Sequence, residues 1–123
     1  MLVEFKDENM ELIKRAFADI KDSLNNLDWT RIDNILTRWI EEGKNYINTL
    51  AFPSTLDETN PTVKFILKNF LLYKIYLRIG DSVRAREILE NFVENTLERI
   101  VNKQTFFNGF VIDGIKWNEI DIN

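Results

Sequence analysis

The chain has 123 residues, 45% of them apolar, 29% charged and 12% aromatic, the proportions of one ordinary globular domain with a single core. It holds neither histidine nor cysteine, which excludes Ser–His and Cys–His nucleophile pairs, thiolate catalysis, structural zinc, iron–sulfur clusters and disulfide scaffolds. The net charge of −4 argues against binding a phosphate backbone over a broad surface, because such affinity comes from many Lys and Arg contacts.

The N-terminus reads Met-Leu-Val-Glu-Phe-Lys-Asp-Glu, with acids where an export signal needs an apolar stretch. No export, transit or membrane-spanning segment is read, and a cytoplasmic location is expected. Met10, Ile13, Ala16, Phe17, Ile20 and Leu24 recur at spacings of three and four, which predicts a helix over about 8–25 with Asp7 as its N-cap. Trp29, Ile32, Ile35, Leu36, Trp39, Ile40, Gly43 and Ile47 form a second stripe, capped by Asp28. The Asn-Asn-Leu between them reads as a short turn, so an antiparallel helical hairpin is expected over 7–48.

Residues 49–60, with Pro53 and several capping residues, read as a linker. Asn60-Pro61 is an N-cap followed by proline at the first helical position. The helix it starts should run to Ile79 and is apolar nearly all round, the pattern of a helix touched on several sides. Gly80 supplies a left-handed closing position and Asp81 or Ser82 caps a fourth helix, about 82–102. Ala85, Ile88, Leu89, Phe92, Val93, Thr96 and Ile100 should face its core side, with Glu87, Glu90, Glu94 and Glu98 opposite. A second hairpin over 61–103 follows.

A shift of 53 positions superposes Ile13 on Ile66, Phe17 on Phe70, Lys21 on Lys74, Asp28 on Asp81, Arg31 on Arg84 and Ile35-Leu36 on Ile88-Leu89. The expected fold class is therefore mainly α: two antiparallel hairpins, arranged as a four-helix bundle or a repeat pair, with internal duplication. Within the second hairpin, Leu72, Tyr76, Gly80, Ala85 and Leu89 keep the spacing of a helical-repeat motif. Residues 69–97 thus resemble the tetratricopeptide repeat, departing from it at Asn69, Tyr73 and Leu97, where that family has Trp, Gly and Pro. The resemblance implies a helical-hairpin geometry and, at most, a peptide-binding role.

Residues 104–123 contain Asn108-Gly109 and Asp113-Gly114 among β-branched and aromatic residues. They predict a small β-hairpin, Phe110–Ile112 against Ile115–Trp117, or an extended tail. Its Phe106, Phe107, Phe110 and Trp117 must cover the bundle or dock a partner.

Charge is unevenly spread. Residues 1–60 carry seven Lys/Arg against twelve Asp/Glu, whereas residues 61–103 carry eight against five. Lys64, Lys68, Lys74 and Arg78 share one side of the third helix, and Arg84 and Arg86 follow the Gly80 turn. This strip reads either as a contact for nucleic acid or an acidic partner, with Tyr73 or Tyr76 to stack on a base, or as cations lying along apolar surface and pairing with the acidic first hairpin. The glutamate row reads as a solvated face. Neither Glu41-Glu42 nor Asp19/Asp22 makes a strong acid–base pair, and the four glycines build no phosphate loop.

No catalytic residue, metal or cofactor is expected. The leading expectation is a non-catalytic protein–protein interaction module or small helical subunit, with a protein partner or a second copy as its ligand. The alternative is an accessory subunit of a nucleic-acid-processing assembly, of the replication, primase or RNA-guided type, using the 64–86 strip.

Overall fold

The computed structural model describes residues 1–50 and 59–101, with side chains described for 1–48 and 59–98. The linker interior and the expected C-terminal β-hairpin, with Phe106, Phe107, Phe110 and Trp117, lie outside the described residues. What is described is mainly helical: α1 (Leu2–Glu8), α2 (Met10–Ala16), α3 (Trp29–Leu50), α4 (Pro61–Ile79), α5 (Ser82–Ile88), a π-helical turn (Leu89–Glu94) and α6 (Asn95–Val101). The last three form one continuous rod.

The first helix differs from its expectation at both ends. It begins at Leu2, so Asp7 lies inside α1 and caps nothing, and Asn9 makes a joint where its side chain donates to the Phe5 carbonyl at 3.0 Å. Helix α2 then stops at Ala16 rather than near residue 25. The reason is local. Asp22 Oδ1 accepts from the backbone N–H of Leu24 at 2.8 Å and Asn26 at 3.0 Å, and Asn25 adopts a φ of 65°. A side chain that satisfies nearby backbone donors competes with the helical ladder. Lys21 and Leu27 form an antiparallel bridge across this turn, leaving Leu24, an expected core residue, 80% exposed at its tip.

Helix α3 starts where Asp28 Oδ1 accepts from Arg31 N–H, and Ile32, Leu36, Trp39, Ile40, Gly43 and Ile47 are buried as the stripe predicts. The N-terminal segment meets α3 through particular side chains. Lys6 meets Trp29 and Asp33, and Phe17 meets Trp39 with ring centroids 5.6 Å apart.

Helix α4 is built as its sequence proposes. Asn60 accepts from the N–H groups of Thr62 and Val63, Pro61 opens the helix and Gly80 closes it at φ 96°. It is shared by two apolar clusters. Leu71 and Ile75 join Phe5, Ile13, Phe17, Ile32 and Leu36 in the first. Val63, Ile66, Leu67 and Phe70 join Ile47, Val93 and Leu97 in the second. Helices α3 and α4 approach closely at Gly43, where an added Cβ would sit 3.0 Å from a Phe70 ring carbon and 3.2 Å from a Leu67 methyl.

Asp81 Oδ1 accepts from Arg84 N–H at 3.0 Å, the same cap that Asp28 makes 53 residues earlier. The repeat holds at these caps but not throughout, since residues 17–26 form a turn where residues 70–79 are helical. Along the rod, Asn95 N–H reaches back to the Glu90 carbonyl. This i→i−5 bond inserts one extra residue and rotates everything downstream. Phe92, expected on the core face, is consequently 44% exposed, and Leu97 is buried.

The tight crossing yields a stability prediction. Gly43→Val should lower unfolding free energy by about 1–3 kcal/mol through overpacking against Phe70 and Leu67, measured by chemical denaturation. Leu24→Ala, at an exposed turn tip, should change it by less than about 0.5 kcal/mol.

Candidate interaction surface

The structure divides the expected basic strip into two parts. Lys64 and Lys68 both meet Glu4, at 3.3 and 2.6 Å, and Lys68 also meets Glu8 at 2.8 Å. Lys74 pairs with Glu42 at 2.9 Å and lies over the Trp39 ring. Arg78 grips Asp19 with Nη2 at 2.9–3.0 Å, donates from Nε to the Ala16 carbonyl at 3.0 Å, and stacks over Phe17 at 4.8 Å. All four cations of α4 thus face acids contributed by residues 4–42.

Arg84 and Arg86 sit differently. Arg84 reaches Glu87 only at 4.0 Å and lies over Tyr76 at 5.7 Å, with its side chain 57% exposed. Arg86 lines two open hollows, one of about 300 Å³ on the rod itself and one of about 270 Å³ between the end of α4 and the rod. Ser82, Glu90 and Arg86 border both; Val83 and Glu87 complete one, and Tyr73, Leu77, Leu89 and Glu94 the other. Val83 is 70% exposed and Leu77 43%. Along the seam between α4 and the rod, the half-exposed Phe65 and Phe92 meet edge to face, with centroids 6.2 Å apart.

Periodicity alone overlooks these exposed apolar residues. Leu77 hides in a helix that is apolar all round, and Phe92 is turned outward by the π turn. Only Val83, falling on the outer side of its helix among charged neighbours, carried a usable signal.

Among the groups that titrate away from their usual ranges, Glu4 and Tyr46 do so for visible reasons. Hydrogen bonds from Lys68 and Lys64, reinforced by their charges, hold the Glu4 carboxyl below its ordinary value of 4.5. Burial, then a hydrogen bond from its hydroxyl to Glu94 Oε1 at 3.0 Å, pushes Tyr46 up to about 12.

Among the described residues no group of three or more acidic side chains is placed to hold a metal ion, and no helix is long and apolar enough to cross a membrane. No protein-family model matches the chain, and searches of curated proteins and of solved structures return no match.

Both shifts set pH dependences. Because Glu4 has a depressed folded-state value, its contribution to stability is present above pH 4.5 and is lost as pH falls through that depressed value. Glu4→Gln should therefore flatten the acid limb of a stability–pH curve. Tyr46 has a raised value, so its contribution is present below pH 10 and lost as pH rises toward 12. A tyrosinate absorbance titration should show one late-ionising tyrosine, absent in Tyr46→Phe.

Proposed function

We propose that the chain is a non-catalytic protein–protein interaction module, a small helical subunit of a larger assembly. One observation carries this reading: Leu77 and Val83 stand exposed beside open hollows while the cations of α4 are neutralised from within. Isolated exposed apolar side chains are ordinary, but apolar residues bordering a concave, charge-rimmed surface mark a contact site. The rim carries Glu87, Glu90 and Glu94 against Arg86. A complementary partner segment presents a large apolar side chain flanked by a cation.

The nucleic-acid reading rests on a smaller surface, since among the described residues Lys64, Lys68, Lys74 and Arg78 of the strip are paired with acids of the first half and Arg84 and Arg86 are not. Arg84 over Tyr76 would supply a cation and a stacking ring. Salt-dependent binding of single-stranded nucleic acid, abolished by Arg84→Glu with Arg86→Glu, would favour that alternative.

For the interaction reading, the full chain should capture a partner from its native host with an affinity that Val83→Asp weakens roughly tenfold or more, because a carboxylate would be buried without a counterion. Leu24→Asp, at the exposed turn tip, should leave capture unchanged. Equal binding by all three proteins would overturn the reading.

A further inference from the structure

The seam between α4 and the rod is a second surface, with an exposed apolar pair at one end and an exposed cation at the other. Phe65 and Phe92 mark one end; Tyr76 and Arg84 mark the other. Phe65 and Tyr76 are three helical turns apart, so the two ends lie roughly 16 Å from each other on the same side of α4.

We propose that residues 104–123 of this chain are the occupant of this seam, folding back in cis so that Phe106, Phe107 and Phe110 cover the Phe65–Phe92 pair and Asp113 reaches Arg84. Reach supports it first. The described rod ends at Val101, nine residues or roughly 13 Å beyond Phe92, and five residues of extended chain, from 101 to 106, span about 16 Å. The spacing of the tail then matches the seam. From Phe107 or Phe110 to Asp113, extended chain covers about 10–20 Å, which brackets the 16 Å between the aromatic pair and Arg84.

Chemistry agrees with the geometry. Residues 104–123 hold nine large apolar side chains and three acids against one lysine, so they need apolar cover and favour a cation. Arg84, whose ion pair among the described residues is the long 4.0 Å contact to Glu87, can take on a carboxylate without leaving the Tyr76 ring. Phe65, Phe92, Tyr76 and Arg84 line neither of the Leu77–Val83 hollows, and the test of the seam involves no partner, so this proposal and the proposed function fail separately.

Because the chain has no cysteine, a single Asn91→Cys substitution on the exposed rod beside Phe92 places one nitroxide label on the full protein. Nitrogen-15 amide spectra should then lose most of their intensity at residues 106–110, and Arg84→Glu should restore much of that loss near Asp113. A label at Leu24→Cys, on the exposed turn, should leave these amides untouched. A mixture of labelled nitrogen-14 chain with unlabelled nitrogen-15 chain should show no loss. Undiminished 106–110 signals in the singly labelled protein would overturn the proposal. So would loss of those signals in the mixture, which would assign the seam to a second copy.

Discussion

Helix α4 is apolar nearly all the way round, and the rest of the structure answers its need for cover. A helix with one apolar stripe can lie on a core with its back to water, but this one would expose large side chains whichever way it turned. Helix α3 covers one side, and Gly43 lets it come close enough to touch Phe70 and Leu67. The α1–α2 segment brings Phe5, Ile13 and Phe17 to the same helix, and the rod adds Val93 and Leu97. Two clusters form because α4 spans both, and their common helix ties them together.

The cations of α4 sit at the edges of that cover, where acids from residues 4–42 meet them. Each pair is at least partly exposed, and such pairs contribute little individually. Their role here is orientation. Glu4 and Glu8 at one end and Asp19 at the other align α1–α2 along the length of α4. Arg78 adds a directional element, closing the end of α2 at Ala16 while its guanidinium stacks on Phe17. The uneven charge of the two halves therefore works largely inside the molecule, while the second half keeps surfaces where apolar and charged groups stand together in the open.

Much of this was legible residue by residue. The caps at Asp28, Asn60 and Asp81, the stop at Gly80 and the buried stripe of α3 depend on a few neighbouring residues and on periodicity. The composition could set out the choice between an open basic strip and an internally paired one, but not decide it, because both use the same lysines and arginines. The outward turn of Phe92 was illegible for a similar reason, since a π-helical turn in mid-helix changes the facing of residues whose own spacing stays regular.

By itself the sequence determined a mainly helical chain, its strongest helix boundaries, the need to cover α4 and the lack of any histidine or cysteine chemistry, since these follow from residue type and local geometry. Only the tertiary structure decided that the cations of α4 are matched from the first half and that Leu77, Val83 and Phe92 face outward. Each of those outcomes depends on which segment lies against which, a competition among packing arrangements whose local sequence signals are nearly the same.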